Sequence, residues 1–256
     1  MSFEVRADAY GRFMGRYSEP LAVEFADMVR PLPGQRALDV GCGTGALTSV
    51  LADRLGAEFV SAVDPSSSFV AASRSRLPGV DVRPASAERL PFADESFDLT
   101  LASLVVHFMT DPVAGIREMA RVTRTQGVVG ACVWDYAAGG GPLTEFWQAV
   151  RSMDPAVSGE SELAGAREGH LAELFAEAGL RDVESAVMSV TARFEGFEDW
   201  WEPFTFGVGP AGDYVRGLDE RGRAELRSRC ASLLPEDGPV QLSAAAWVAI
   251  GRPASE

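Results

Sequence analysis

The chain has 256 residues, 46% of them hydrophobic, with a mean hydropathy near zero, which is the composition of an ordinary globular protein with material for a sizeable core. Its 37 acidic residues outnumber 23 basic ones, and a net charge of -14 disfavours tight binding to nucleic acid or anionic lipid, both of which rest on basic patches. No apolar run approaches the roughly 18 residues of a membrane span, and the acidic start from Met1 to Tyr10 has no apolar signal core, so a cytoplasmic protein is expected.

Along the chain, Tyr10, Phe13, Met14, Tyr17, Leu21, Phe25 and Met28 recur at three- and four-residue steps and predict a helix over 6–30, broken around Ser18-Glu-Pro20. Arg36–Val40 reads as a first strand, Leu47–Leu55 as a helix, and Phe59–Val63 as a second, almost wholly apolar strand. A helix from Ser66 to Leu77, with Ser66 as N-cap, leads through Pro78-Gly79 to a third strand at 80–83. Phe97–Ala102 and Val128–Trp134 read as strands four and five, with a helix at 113–123 between them. This alternation predicts βαβ units and a mostly parallel sheet.

After Trp134 the rhythm changes. A glycine-rich link at 136–142 precedes a short aromatic helix around Phe146 and Trp147, and residues 158–165 read as a polar loop. Leu171–Ala178 is an amphipathic helix with Gly179 as its C′ residue, and Arg181–Phe194 is a sixth strand. Residues 197–234 read as a mostly helical insertion rich in aromatics, and Val240–Gly251 as the last strand.

The segment with chemical content is Asp39-Val-Gly-Cys-Gly-Thr-Gly45, between the first strand and the first βαβ helix, with Asp64 nineteen residues past Gly45. Gly41, Gly43 and Gly45 permit a tight turn and close approach of a ligand to the backbone, and Asp64 stands where an acid meets a ribose. On these residues alone the loop also satisfies the loose dinucleotide pattern G-x-G-x-x-G/A, so a nicotinamide-dependent dehydrogenase stays open. Asp39 weighs against a pyrophosphate, because a carboxylate there opposes a phosphate and suits an ammonium group.

Together with Ser86-Ala-Glu-Arg-Leu-Pro-Phe92 and Arg117–Gly127, the loop resembles the class I S-adenosylmethionine-dependent methyltransferases, in the type 11 small-molecule group that includes quinone C-methyltransferases. The resemblance spans about residues 10–135 by motif. It implies a Rossmann-like, doubly wound α/β fold with a seven-stranded, mostly parallel sheet whose last strand is antiparallel. It further implies a single domain with a helical cap (1–35), a cofactor-binding core (36–135), substrate-side helices and strand six (136–194), and a helical lid (195–235). S-adenosyl-L-methionine is the implied cofactor and a small-molecule acceptor the implied partner; the tryptophans of the chain point to an apolar or aromatic one.

Residue by residue, the resemblance places Gly41, Cys42 and Gly43 along the methionyl and ribose parts, Asp39 at the ammonium, and Asp64 on both ribose hydroxyls. Pro65, Ser66 and Phe69 would border the adenosine, Ser86 and Ala87 would read adenine, and Ser103 and Leu104 would touch the methionyl end. Many relatives carry Asp at the Ser86 position. Tyr10, Arg16 and Tyr17 would cap the cofactor, Arg16 pairing its carboxylate.

His107, just past strand four, is a candidate general base because an ordinary histidine titrates near neutrality. Trp134, Tyr136, Trp147, Trp200, Trp201 and Phe204 could wall an apolar acceptor. His170, at the start of a helix, reads as structural. The cysteines Cys42, Cys132 and Cys230 are scattered, and no His/Cys/Asp/Glu set has metal spacing, so neither a disulfide nor a metal is expected. A cofactor-binding protein without catalysis, used for interaction or regulation, is the non-enzyme alternative.

Overall fold

The computed structural model describes residues 7–254, with side chains from residue 11 onward. Tyr10, named above as a cofactor cap, therefore lies outside the described side chains.

Seven strands form one sheet in the order β3-β2-β1-β4-β5-β7-β6. The strands are β1 (Ala37–Val40), β2 (Val60–Asp64), β3 (Asp81–Pro84), β4 (Phe97–Ser103), β5 (Thr123–Trp134), β6 (Arg181–Phe194) and β7 (Val240–Arg252). Pairing is parallel from β3 through β5, and β7 runs antiparallel to both of its neighbours. Every residue of β1 and β2 is buried, as continuous apolar runs covered on both faces should be. Edge strand β6 instead alternates in its second half, with Met188, Val190, Ala192 and Phe194 inward.

Helices α2 (Ala46–Leu55), α3 (Ser67–Arg76), α4 (Pro112–Val122) and α6 (His170–Glu177) complete the crossovers. Asp111 caps α4 by accepting the Ala114 N–H at 2.9 Å, with Pro112 supplying a helical φ in the first turn. Ser66 does occupy the N-cap of α3, but without a side-chain bond to the helix.

Helix α1 (Ala7–Val29) corrects one expectation: it runs unbroken through Pro20. An interior proline costs about 3 kcal/mol. Tyr17, Leu21, Ala22, Phe25 and Ala26 are all buried on one face, and fully burying a large apolar side chain contributes roughly 1.5–3 kcal/mol. Burial wins.

The aromatic insertion forms α7 (Phe197–Trp201), a 3-10 turn over 202–206, α8 (Gly209–Gly217) and α9 (Glu220–Ser232). Phe204 ties it to the rest: its ring stacks on Phe146 of α5 (Thr144–Met153) at 4.5 Å and meets Phe13 of α1 edge-on at 5.3 Å. Parallel strands end on a common edge, so Val40, Asp64, Pro84 and Ser103 bring their following loops together under α1 and this insertion. Open α/β sheets bind ligands along that edge.

Candidate active site

The glycine loop is anchored by its neighbours on β2. Gly41 and Cys42 donate backbone N–H bonds to Val63 O at 2.8 and 2.9 Å, and Gly43 donates to Asp64 Oδ2 at 2.9 Å. Asp64 Oδ1 accepts from Ser66 N at 2.8 Å, so two backbone donors aim the carboxylate. Each oxygen keeps a lone pair for a further donor.

The loop's glycines have different reasons. A Cβ on Gly41 would sit 2.4 Å from a Val105 methyl, and one on Gly45 would strike Ser73 and Leu77; both positions serve packing. A Cβ on Gly43, at φ +53°, would meet nothing within 4 Å, so there the backbone faces open space. Cys42 is a buried free thiol in a small apolar cluster with Ala62, Val70 and Val82, and burial pushes its thiol well above the usual range.

Asp39 is 1% exposed and accepts the Thr48 hydroxyl at 2.6 Å. Burial pushes it up to about 7, with the nearby Asp64 carboxylate adding to the rise and the Thr48 bond opposing it. Asp64 is raised in the same direction, again chiefly by burial. Two buried acids beside an open glycine loop suit a ligand that brings positive charge and hydroxyl groups.

Helix α1 covers this loop with a face the sequence reading missed. Gly11, Gly15 and Ser18 line a cleft of about 250 Å³ with Thr44 and Ala46, and the Glu19–Arg76 ion pair sits at its side. A smaller cavity, lined by Ser18, Asp39, Gly43, Ser103 and Leu104, continues it toward β4. The clue was available: Gly11, Gly15 and Ser18 share one helical face at steps of four and three.

Arg16 and Tyr17, expected to cap the cofactor, make their contacts elsewhere in this structure. Arg16 holds Asp199 of α7 with both guanidinium ends, at 2.5 and 2.6 Å, donates to Arg193 O at 2.9 Å, and lies over the Phe194 ring. Tyr17 is buried edge-on to Trp134, with its hydroxyl unpartnered among the described residues and pushed upward by burial. Neither side chain lines the glycine-loop cavity.

Along the rest of the edge, Ser86 is exposed and Ala87 is buried against the β4 side of the sheet. Glu88 fixes their turn by accepting the Thr110 N–H at 2.8 Å. Phe69 is buried on α3, while Pro65 is exposed.

Leu104 is the joint of the site. It is a non-glycine residue at φ +61°, a conformation costly to L side chains, held by its N–H to Cys132 O at 2.9 Å. It lines the glycine-loop cavity on one side and a second, mainly apolar cavity on the other. Phe13, Met14, His107, Trp134, Tyr136 and Glu160 line that second cavity. Trp200, Trp201 and Phe204 pack in the core behind it, and Trp147 reaches it only through Glu160.

His107 sits in the second cavity but not as expected. Its ring is 6% exposed, Nδ1 has no partner among the described residues, and burial alone pushes the imidazole down to about 3. It stays neutral at physiological pH and is a poor base. The sequence reading missed Glu160, which is 3% exposed and accepts Trp147 Nε1–H at 2.9 Å and the Tyr136 hydroxyl. Burial pushes Glu160 up to about 7, against the pull of those two hydrogen bonds. His170 has a structural part, its Nδ1 accepting the Gly165 N–H at 3.2 Å. Among the described residues, no group of three or more His, Cys, Asp or Glu is placed to hold a metal, and no helix is long and apolar enough to cross a membrane.

Residues 38–130 match the family model described as a methyltransferase domain. The chain is 38% identical over 135 residues to an uncharacterized methyltransferase of Mycobacterium tuberculosis, covering 53% of this chain and 52% of the relative. It is 32% identical over 147 residues to a demethylmenaquinone methyltransferase of Renibacterium salmoninarum, covering 57% and 61%. The chain thus spans about half the length of the curated relatives it matches. In three dimensions it is similar to the phosphoethanolamine N-methyltransferase 2 of Haemonchus contortus solved with S-adenosyl-L-methionine, with TM-score 0.59 and 17% identity, covering 97% of this chain and 57% of that one. That likeness speaks for the fold. Sheet order, glycine loop and sequence match converge on one segment: residues 38–130 resemble a methyltransferase domain.

Proposed function

We propose that the protein transfers a methyl group from S-adenosyl-L-methionine to a small, mainly apolar acceptor. The observation that carries this reading is the pair of cavities meeting at Leu104, one polar and acidic, the other apolar. The residues of the first, with Asp64 bonded to its Gly43, fit the cofactor's chemistry. Asp64 keeps lone pairs for a ribose diol, the Gly43 backbone faces open space where a side chain would intrude, and Asp39 offers a buried carboxylate to an ammonium group. Ser103 and Leu104 would border the methionyl end, and Ser66, Phe69, Ser86 and Ala87 the adenosine.

When bound, the cofactor supplies an already activated methyl group on a sulfonium centre. The protein's own work is then to position the acceptor, exclude water and take up any proton released. Apolar walls from Phe13, Met14 and Trp134 do the first two. The space left in the second cavity is about 30 Å³, roughly one water molecule's share of the liquid, so an acceptor enters only when the insertion swings away from α1. Segment 195–235 is in this reading a lid, with Arg16–Asp199 and Arg12–Glu202 joining it to α1.

The test is calorimetric titration with S-adenosylmethionine, S-adenosylhomocysteine and NAD, followed by incubation with methyl-labelled cofactor and a small-molecule extract. Binding of the first two, and label in a small product, are expected. Cofactor binding without label transfer to any small molecule would return the non-enzyme alternative.

A further inference from the structure

Glu160 lies outside residues 38–130, the part matched to the methyltransferase family, and nothing in the cofactor cavity requires it. It nevertheless reaches the acceptor cavity on a loop whose geometry is built around it. Gly159, at φ +65°, lies against Trp147 so closely that a Cβ there would be 2.8 Å from the indole ring, and the same indole donates to the Glu160 carboxylate. Tyr136, the next residue but one after β5, supplies the second donor.

A purely structural reading of this arrangement fails on chemistry. A glutamine carbonyl would accept both donors without the cost of burying an ionisable group, which is large unless the charge is used or paired. Among the described residues no cation pairs with it: the groups that face Glu160 are Trp147 from α5, Tyr136 from the β5 loop and the neutral His107 across the cavity. Two further buried polar atoms on this cavity's wall residues, His107 Nδ1 and Trp134 Nε1, have no partner among the described residues. A cavity with apolar walls, one buried carboxylate and unpartnered nitrogen sites is matched by an apolar ring bearing a hydroxyl group.

We propose that Glu160 is the proton acceptor of this site and that the methyl acceptor is an aromatic or enolic compound carrying an acidic hydroxyl. This rests on the methyltransferase reading above. The acceptor's O–H bond breaks with its proton passing to a Glu160 oxygen, and its oxygen forms the new bond to the methyl carbon. The electron pair of the broken sulfur–methyl bond stays on sulfur, so the carboxylate and the sulfonium lose their charges together. A carboxylate raised toward neutrality is a better base for such a hydroxyl than an ordinary one.

Three measurements test this with Glu160→Gln, which keeps an acceptor for Trp147, and with Glu160→Asp. In the free protein, tryptophan fluorescence should show a transition near pH 7 that Glu160→Gln lacks, because ionisation beside Trp147 alters its emission. With S-adenosylhomocysteine bound, 4-methylphenol should bind the wild type and bind Glu160→Gln at least about tenfold more weakly. With labelled cofactor and 4-methylphenol, kcat should fall at least about 100-fold in Glu160→Gln, cofactor Kd should not move, and Glu160→Asp should recover part of the rate. A fluorescence transition or kcat unchanged in Glu160→Gln overturns the assignment while leaving the methyltransferase reading intact. Failure of the wild type to bind 4-methylphenol overturns the acceptor class, and failure to bind the cofactor overturns both readings, whatever the fluorescence does.

Discussion

Arg16 of α1 and Asp199 of α7, 183 residues apart in sequence, form a two-pronged ion pair at 2.5 and 2.6 Å that joins α1 to the aromatic insertion. The guanidinium holds the Asp199 carboxyl below the usual range, and Asp199 also accepts the Glu195 N–H. The pair is partly exposed, with side chains 39% and 31% accessible. Solvent screening therefore limits it to about 1 kcal/mol or less.

If Arg16 is a latch and not a cofactor ligand, Arg16→Ala should change cofactor affinity by less than about threefold. A double-mutant cycle with Asp199→Ala in urea should give a coupling of about 0.5–1 kcal/mol. Calorimetry decides between the roles: a loss of about tenfold or more in Arg16→Ala, equal to about 1.4 kcal/mol, would return Arg16 to the cofactor.

Asp64→Ala is expected to remove detectable cofactor binding. It deletes hydrogen bonds from a charged acceptor, worth about 1.5–3 kcal/mol each, and frees the Gly43 and Ser66 N–H groups that aim the loop. Asp64→Asn should fail nearly as badly, since its amide sets a donor against one of those N–H groups. Calorimetric affinity equal to wild type in either variant would remove Asp64 from the cofactor site.

Glycine substitutions should separate folding from binding. Gly41→Ala forces a methyl against Val105, and such overpacking costs about 1–3 kcal/mol, visible as a lower Tm. Gly15→Leu adds a side chain where nothing lies within 4 Å of the Cβ and improves the helix, so Tm should hold or rise. The same leucine fills the cleft under α1, and cofactor affinity should drop about tenfold or more. A Gly15→Leu protein that binds the cofactor normally would move the cofactor out of that cleft.

Stability should fall as pH rises through neutrality. Asp39 and Glu160 are both held near 7 in the folded protein, against ordinary values of 3.8 and 4.5 in the unfolded chain. A raised folded value means the folded state binds protons more tightly. That contribution is complete below pH 3.8 for Asp39 and below 4.5 for Glu160, and it is lost as pH rises through about 7. Chemical denaturation should thus show the wild type more stable at pH 5.5 than at pH 8 by roughly 1–3 kcal/mol. Asp39→Asn and Glu160→Gln should each flatten that difference. His107, lowered to about 3, works in the opposite direction: below about 6.5 the unfolded histidine takes up a proton that the buried one does not, which cancels part of the gain at pH 5.5.

What was legible in the sequence is what depends on neighbours along the chain. Strand six was read at its observed bounds, Arg181–Phe194, because the apolar residues of its second half alternate. The loop from Asp39 to Gly45 and its acid at Asp64 were readable for the same reason: a βαβ unit sets that spacing by itself.

The rest was decided by tertiary structure. The resemblance assigned Arg16 to the cofactor carboxylate, but only the folded insertion supplied Asp199 as its partner. Pro20 looked like a break until the burial of Leu21 and Phe25 outweighed it. His107 kept its sequence address beside β4 and lost its basicity to desolvation, while Glu160, in a loop with no motif, gained basicity by the same effect. Local backbone geometry follows from residue type and spacing; the protonation of a side chain and the identity of its partner follow from which distant elements bury it.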